Sequence, residues 1–224
     1  LLITTTDNVY KNNNKIKNFK ENDKIGGNDP YSASKAALET LCEYYLDISR
    51  KDNLFSLCVA RSGNVIGGGD WSANRLFPDI INAYKMKKRL IIRNPNSSRP
   101  WQHVLDPLYG YLNLVEKSFY NKKYCNVYNF GPKNNSSEKV INILNLIKKK
   151  IPDLKIRIKK SKFYESKILQ LDSKKSKNEL SYIQVWNLKM SIEKTLNWYL
   201  SFIKKSSSDE LCLMDIRNFE DNYK

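Results

Sequence analysis

The stretch LFSLCVAR, residues 54–61, is a nearly continuous apolar run without the alternation of apolar and polar residues that a half-exposed strand shows. A strand of a parallel sheet is covered on both faces and has a sequence of this kind. The stretch therefore predicts a buried strand in a parallel sheet, and the segments on either side of it supply the other elements that such a sheet needs.

Strands and helices alternate along the rest of the chain. Upstream, residues 1–7 (LLITTTD) are predicted to form a strand that runs out into a site, and residues 31–50 a helix with apolar residues at helical spacing. Downstream, helices are predicted within residues 75–88, 99–119, 136–150 (with a capped start), 171–180 and 188–205, and strands within residues 89–94, 125–131 and 155–160. This order is typical of an α/β fold with a parallel sheet.

The formal charge of +16 on 224 residues does not indicate a nucleic-acid-binding protein here. Lysine is spread along the whole chain together with abundant asparagine, and the basic stretches lack the interleaved aromatic residues of a single-strand binder. We expect no nucleic-acid partner, but a general attraction to anionic small molecules. No apolar run approaches the length of a membrane span, so we expect no membrane partner either.

Cysteine and histidine usage limits the chemistry. The four cysteines are far apart without CxxC spacing, which predicts reduced, mostly buried thiols and a cytoplasmic protein. His103 is the one histidine in the sequence, and we expect it to be structural. We expect no metal site, and any proton transfer must rest mainly on Tyr, Lys, Asp or Glu.

Tyr31 and Lys35, in DPYSASKAALETL (residues 29–41), are one helical turn apart and share a face. A tyrosine has a pKa of about 10, and an ammonium group beside it stabilises the phenolate and lowers that pKa. Such a couple can remove a proton from a sugar hydroxyl. Alternatively, Lys35 only heads a solvated row with Glu39, Glu43 and Asp47.

The strand end TTTDN precedes this helix and favours the catalytic interpretation of Tyr31 and Lys35 over the surface one. Thr6 can hydrogen-bond the hydroxyl that Tyr31 deprotonates, and Asp7 can donate a proton to a second group. Alternatively, the segment is a strand end with a turn-forming Asp-Asn pair. A strand, then Thr-Asp, then a helix with YxxxK is an order that chance rarely supplies.

The chain resembles the extended short-chain dehydrogenase/reductase family, and within it the CDP-glucose branch of the sugar-nucleotide 4,6-dehydratases. The stretches that carry the resemblance are TTTDNVY, ENDKIGGNDPYSASKAALE, ARSGNVIGGGDWSANRLFPDII, IIRNPNSSRPWQHVLDPLYGYL, VYNFGP, LQLDSKKSKNEL and LNWYL. The resemblance implies a Rossmann-like parallel sheet with a smaller C-terminal substrate-binding lobe. It places the boundary after residue 62, with some later segments returning to the sheet.

The resemblance also implies the reaction. Hydride passes from C4 of the glucosyl group to NAD, while Tyr31, assisted by Lys35 and Thr6, removes the C4 hydroxyl proton. Water is then lost across C5 and C6, with Asp7 protonating the leaving hydroxyl, and hydride returns to C6. Tyr31 and Lys35 are also expected to contact NAD. The product would be CDP-4-keto-6-deoxyglucose, which would supply dideoxysugars for surface polysaccharide.

Position 8 departs from the family pattern. Related dehydratases have a lysine or glutamate directly after the aspartate for the C5 proton, whereas this chain has Asn8. An amide cannot act as a base. The departure leaves open an NAD-dependent epimerase or reductase of another nucleotide sugar. A further alternative is a non-catalytic nucleotide-sugar or polyanion binder that is left after loss of the cofactor half.

Four residues are expected to bind the substrate. A diphosphate favours the forked donors of arginine over lysine. By the resemblance, Arg99 in SSRPW, Arg75 in ANRLFPDI and Asn64 in GNVIGGG match substrate-contacting positions, and Asn129 in YNFG is a weaker candidate.

The dinucleotide-binding GxGxxG does not occur in this sequence. GNVIGGGDW is glycine-rich but does not open a helix at once, so it is predicted to be a tight loop. We expect the chain to be the C-terminal portion of a longer protein, without the N-terminal strands and most of the cofactor site. We expect this portion alone to bind NAD poorly and not to turn over, and the full-length protein to be a homo-oligomer.

Overall fold

The computed structural model describes residues 1–12, 17–51, 55–159 and 169–223. Its strands are β1 Leu2–Thr6, β2 Asn18–Phe19, β3 Cys58–Ser62, β4 Val65–Ile66, β5 Leu90–Ile92, β6 Ser98–Arg99, β7 Gln102–His103, β8 Val127–Phe130, β9 Glu138–Lys139, β10 Ile156–Ile158 and β11 Gln170–Leu171. Its α-helices are α1 Pro30–Lys51, α2 Leu76–Lys85, α3 Leu105–Tyr120, α4 Val140–Lys150, α5 Lys174–Leu180, α6 Leu188–Ile203 and α7 Ser208–Tyr223.

Three parallel strands form the central sheet, in the order β1, β3, β8. The middle strand β3 overlaps the stretch that predicted a buried parallel strand, whose Leu54 lies outside the described residues, and Leu57 to Ala60 are at most 2% exposed. The α/β fold with a Rossmann-like parallel sheet is therefore confirmed. Because β8 comes from beyond residue 62, a later segment does return to the sheet, while the boundary itself stays a prediction.

Helix α1 covers one face of this sheet, close to the predicted range of residues 31–50. Asp29 caps its start, since its Oδ1 accepts a hydrogen bond from Ser32 N at 3.0 Å. Pro30 occupies the first helical position, where its missing N–H costs nothing. Glu39 is 2% exposed, so the reading of a solvated row behind Lys35 is wrong at that residue.

A second, larger core is formed by buried residues between Ile66 and Leu211. It is built from the apolar faces of α2, α4, α6 and α7 and from the parallel pair of β5 and β10. The short pair of β4 with β7 connects the glycine-rich loop to the segment SSRPWQHV, residues 97–104, and the pair of β6 with β9 connects that segment to the start of α4. Gln102 Nε2 donates to the Phe130 carbonyl oxygen of β8 at 2.9 Å, which places the segment beside the central sheet.

The structure differs from the sequence-based predictions at several helices and strands. Helix α4 begins at Val140, and its N-cap Lys139 makes no side-chain cap, because residues 138–139 pair with β6 instead. Helix α7 lies beyond the predicted elements, and Lys160 of the predicted strand 155–160 lies outside the described residues.

Three cysteines are buried and Cys212 is exposed, all as free thiols. No helix in the described ranges is long and apolar enough to cross a membrane.

Candidate active site

The three strands of the central sheet end in register at one edge. Thr6, Ser62 and Phe130 are neighbours across the sheet and are the last residues of β1, β3 and β8. In open α/β sheets, ligands bind at the edge formed by the carboxyl ends of the strands. The residues that directly follow these strands, Asp7 and Gly63 among them, therefore form the candidate site.

Asp7 is buried at this edge with one carboxylate oxygen unpaired. It is 1% exposed, and its Oδ1 accepts hydrogen bonds from Thr6 Oγ1 and Asn8 Nδ2, each at 3.2 Å. Its Oδ2 has no partner among the described residues and faces Gly63, where an added Cβ would lie 3.2 Å away. Burial raises the pKa of Asp7 to about 7, against the opposing effects of the Thr6 hydrogen bond and the charge of Arg99. Such a carboxyl can exchange a proton near neutral pH.

Asn8 holds Thr6 and Asp7 together. Thr6 Oγ1 donates its hydrogen to Asp7 and accepts hydrogen bonds from the Asn8 backbone N–H at 3.2 Å and from Asn8 Nδ2 at 3.3 Å. The amide of Asn8 thus acts only as a donor to the two residues before it. It supplies no base at position 8.

The start of α1 is fixed next to the segment that follows β1. The backbone N–H groups of Gly26 and Gly27 both donate to the carbonyl oxygen of Val9, at 2.8 and 3.3 Å. Gly27 has φ +65°, and a Cβ there would lie 2.4 Å from the carbonyl carbon of Ser32 in the first turn of α1. Only glycine fits such a close approach. One turn further along α1, Ala36 packs in the same apolar cluster as Val9.

Tyr31 and Lys35 lie at the border of the buried face of α1. Each directly precedes a buried residue, Ser32 and Ala36. Tyr31 is 53% exposed and Lys35 is half-buried. The phenol ring is therefore open to the outside instead of packed in the interior. A group that must meet a substrate requires this exposure.

A buried ion pair ties α1 to the sheet. Glu39 of α1 and Arg61 of β3 have side chains that are 2% and 4% exposed, and Arg61 Nε lies 2.7 Å from Glu39 Oε2. The other carboxylate oxygen of Glu39 accepts a hydrogen bond from Thr5 Oγ1. Arg61 Nη1 also donates to Tyr10 OH at 2.8 Å. This network joins the helix of Tyr31 to the strand of Thr6.

Asn129, predicted as a substrate contact, belongs to the interior. It is fully buried, and its Oδ1 accepts a hydrogen bond from Tyr10 OH at 2.7 Å. Its Nδ2 donates to the carbonyl oxygens of Phe19 at 3.0 Å and Asp172 at 3.3 Å. Because both atoms of the amide are bonded within the fold, the structure gives Asn129 a structural role and does not bring it to the other three candidates.

Those three candidates, Asn64, Arg75 and Arg99, line one cavity of about 300 Å³. Arg75 is exposed just before α2 and forms no side-chain cap there. Arg99 is 7% exposed in β6, and its Nη1 donates to the Ser98 carbonyl oxygen at 2.9 Å. The carbonyl oxygen of Asn64 accepts a hydrogen bond from Gln102 N at 3.1 Å, which holds the loop to the segment of Arg99.

The cavity has apolar walls and lies close to Asp7, which does not line it, since the charge of the lining residue Arg99 acts on the Asp7 carboxyl. Gly63 precedes the lining residue Asn64, and a Cβ there would lie 2.4 Å from Pro100 Cγ and 3.2 Å from Asp7 Oδ2, so the site needs a glycine between the carboxylate and Pro100. The walls include Phe77, Trp101 and Val104. Trp101 is 6% exposed and donates from Nε1 to the Glu138 carbonyl oxygen at 3.0 Å. The sequence singled out the polar groups of this cavity, but not its apolar walls or the role of Gly63.

His103 does not belong to the candidate site. It is 2% exposed, and its ring packs edge-on against Trp186, with 4.6 Å between the ring centroids. Burial, and then the charge of Lys194, lower the pKa of His103 to about 3. The ring is therefore neutral, which agrees with the structural role expected for it.

Known proteins are similar to this chain in sequence and in fold. The chain is 32% identical over 208 residues to CDP-glucose 4,6-dehydratase from Salmonella typhimurium, covering 89% of this chain and 58% of that protein. Among solved structures, dTDP-glucose 4,6-dehydratase from Bacillus anthracis in complex with NAD is 22% identical, with a TM-score of 0.75 over 89% of this chain and 61% of that one. UDP-glucuronic acid 4-epimerase from Bacillus cereus with UDP-glucuronic acid and NAD is 21% identical, with a TM-score of 0.76 over 90% and 61%.

These relatives confirm the resemblance that the sequence motifs indicated. The chain spans little more than half the length of the curated relative, 58%, and the two solved structures share its fold. Residues 1–131 match the model of the NAD dependent epimerase/dehydratase family, and the chain belongs to that family.

Proposed function

We propose that this chain carries the sugar-handling part of an NAD-dependent dehydratase that converts CDP-glucose to CDP-4-keto-6-deoxyglucose. One observation carries the proposal: the buried carboxyl of Asp7, with a pKa of about 7 and an unpaired Oδ2, lies close enough to Arg99 for that charge to lower its pKa, and Arg99 lines a cavity together with Arg75. An acid is thereby next to groups suited to a diphosphate. The proposed enzyme is a cytoplasmic homo-oligomer in its full-length form.

Tyr31 and Lys35 would act on the C4 hydroxyl. The exposed phenol of Tyr31 is the proposed base, and Lys35 one turn later is the cation that stabilises its phenolate. Thr6 is the proposed partner of the same hydroxyl. Its hydrogen now bonds Asp7, so Thr6 would exchange that bond for one to the substrate. NAD, when bound, supplies the hydride acceptor and donor.

Asp7 would be the acid for the leaving C6 hydroxyl. A general acid works best when its pKa is close to the operating pH, because it is then both protonated and able to release the proton. Burial brings the pKa of Asp7 into that range. Its unpaired Oδ2 is the oxygen from which the proton would be delivered.

NAD would meet only part of its site in this chain. Tyr31 and Lys35 would contact its nicotinamide ribose, and the exposure of Tyr31 fits that role. The sequence contains no GxGxxG for the pyrophosphate. The lack of this motif in the sequence supports the expectation that the chain alone binds NAD poorly.

Asn8 favours a second candidate function, an NAD-dependent epimerase or reductase of another nucleotide sugar. Its Nδ2 donates to both Thr6 and Asp7, so it cannot accept the C5 proton. Epimerases and reductases need a tyrosine, a lysine and a threonine in the roles proposed for Tyr31, Lys35 and Thr6. They need no acid and base pair for the loss of water. In a dehydratase, another group or a water must take the C5 proton.

Arg75→Ala is expected to weaken the binding of CDP to the chain about tenfold, because a hydrogen bond to a charged group contributes roughly 1.5–3 kcal/mol and Arg75 is exposed. Calorimetric titration with CDP measures the change. Arg89→Ala removes an exposed arginine that does not line the cavity and serves as the control. Equal affinity in the two variants would remove Arg75 from the proposed site.

The reaction is tested in the extended protein, meaning this chain joined behind an N-terminal half that carries a GxGxxG segment. Incubation with CDP-glucose and NAD should give the near-ultraviolet absorbance that 4-keto sugars develop in alkali. The chain alone should give none. Activity on a UDP-sugar without that absorbance from CDP-glucose would reject the dehydratase in favour of the epimerase or reductase.

A further inference from the structure

A second cavity, of about 370 Å³, lies beyond the end of β8. Its volume falls within the roughly 300–1,000 Å³ of small-molecule sites. None of its lining residues belongs to the cavity of Arg75 and Arg99. It is lined by Gly131, Pro132, Lys133, Asn134, Ser173, Lys174, Lys177, Tyr182, Ile183 and Gln184. It is therefore a separate cavity at the same edge of the sheet, on its third strand.

Hydrogen bonds across the walls fix the shape of this second cavity. Gly131 N donates to Ser173 Oγ at 2.8 Å, and Lys133 N donates to Gln184 Oε1 at 2.8 Å. A Cβ at Gly131 would lie 2.9 Å from Ser173 Oγ, so the two walls meet closely there. Tyr182 N donates to the Ser176 carbonyl oxygen at 3.2 Å. The cavity is thus formed by bonded loops and needs no rearrangement to exist.

The charged side chains that line the second cavity are all positive. Three ammonium groups line the second cavity, those of Lys133, Lys174 and Lys177. The buried phenol of Tyr182 also lines it, and no Asp or Glu of the described residues does. The nearby Asp172 is turned to the backbone, where its Oδ1 accepts a hydrogen bond from Lys174 N at 2.9 Å. The cavity therefore presents cations without a lining carboxylate to neutralise them.

Apolar surface lies beside these cations. Pro132 forms part of the wall, and Ile183 is 46% exposed although it is a large aliphatic residue. Lysine ammonium groups bind phosphate as point charges, and an apolar wall favours a ligand with an apolar or flat part. A ligand that satisfies both carries a phosphate and a ring.

From this combination we infer that the second cavity is a binding site for a nucleoside monophosphate, with the phosphate on the lysines and the heterocycle against Pro132 and Ile183. The site is independent of the proposed reaction, because it shares no residue with the cavity of Arg75 and Arg99 and contains none of Thr6, Asp7, Tyr31 and Lys35. It would give this chain a second place for a small phosphorylated molecule.

Calorimetric titration of the chain with CMP, glucose 1-phosphate and inorganic phosphate tests the inference. The double variant Lys174→Glu/Lys177→Glu reverses two charges at the cavity. The matched control, Lys155→Glu/Lys159→Glu, reverses two exposed charges on either side of β10. Arg75→Ala separates any binding of CMP in the first cavity from binding in the second.

We expect CMP to bind with at least tenfold higher affinity than inorganic phosphate or glucose 1-phosphate. We expect the Lys174→Glu/Lys177→Glu variant to bind CMP at least tenfold more weakly than the original chain. The control variant and Arg75→Ala should keep the affinity of the second cavity for CMP. Equal binding of all three probes would reject the nucleoside part. No saturable binding, or equal losses in the two lysine variants, would overturn the site, and neither result would bear on the dehydratase.

Discussion

Arg61→Met is expected to lower the free energy of unfolding of the chain by about 3–5 kcal/mol. The substitution removes one partner of a buried ion pair and leaves the carboxylate of Glu39 without its cation, and breaking such pairs costs this much. It also removes the hydrogen bonds from Arg61 Nη1 to Tyr10 OH at 2.8 Å and to the Glu21 carbonyl oxygen at 2.9 Å. Urea denaturation at pH 7 measures the change.

The double variant Arg61→Met/Glu39→Met separates the ion pair from the packing around it. Replacing both partners by apolar residues of similar size is often neutral, because no buried charge remains. The double variant is therefore expected to be more stable than Arg61→Met alone. Lys150→Met breaks the exposed Lys150–Glu193 pair, whose side chains are 48% and 43% exposed, and should cost less than about 1 kcal/mol.

A double variant no more stable than the single one would show that the two side chains do not act as a pair. The outcome matters for the candidate site, because this pair fixes α1 on β3. Helix α1 carries Tyr31 and Lys35, and the neighbouring strand β1 carries Thr6. The geometry of the proposed C4 chemistry thus rests on an interaction between two residues that do not line the cavity of Arg75 and Arg99.

The sequence predicted the parts of this molecule that depend on local patterns. The apolar run at residues 54–61 identified β3, and the helical spacing behind DPYS identified α1. Arg75 and Arg99 are expected as substrate contacts because contiguous motifs carry the resemblance, and that role stays a prediction. The cavity that joins them forms only when the loop after β3 pairs with the segment before α3, which no local pattern encodes.

The failures have non-local causes. A row of acidic residues on a helix has the same sequence pattern whether it faces water or a cation on another strand, so the alternative with Glu39 in a solvated row stayed open until the structure showed Glu39 buried. Asn129 sits at a strand end, as a ligand-binding residue would, but Tyr10 uses its side-chain oxygen from across the fold. Helix α7 buries only Leu211, Asp215 and Phe219, which leaves its sequence with little apolar periodicity.

Asp7→Asn is expected to change how the stability of the chain depends on pH. The pKa of Asp7 is about 7 in the fold against an ordinary 3.8, so the folded chain holds this proton more tightly than the unfolded chain. Asp7 therefore stabilises the fold fully below pH 3.8, and this contribution is lost as the pH rises to about 7. The loss amounts to about 4 kcal/mol, since one pKa unit corresponds to about 1.36 kcal/mol.

Asparagine at this position does not titrate. The free energy of unfolding of Asp7→Asn, relative to the original chain, should therefore rise by about 4 kcal/mol between pH 4 and pH 8, whatever constant offset the amide brings. Urea denaturation of both chains across this range measures the difference. Asp153→Asn replaces an exposed aspartate and should show no such rise. A parallel pair of pH curves for Asp7→Asn and the original chain would mean that Asp7 titrates normally.

The same substitution should abolish the proposed acid. In the extended protein, Asp7→Asn is expected to reduce formation of the 4-keto product from CDP-glucose by about 10²–10⁴-fold, the usual contribution of a general acid. The variant would then be less active and would lack the loss of stability that the original chain shows as the pH rises to neutrality. This combination is expected of a carboxyl that burial holds near neutrality for proton transfer, because the ionised group is costly in the interior. A loss of activity together with unchanged pH curves would instead mean that Asp7 contributes to the reaction without a raised pKa.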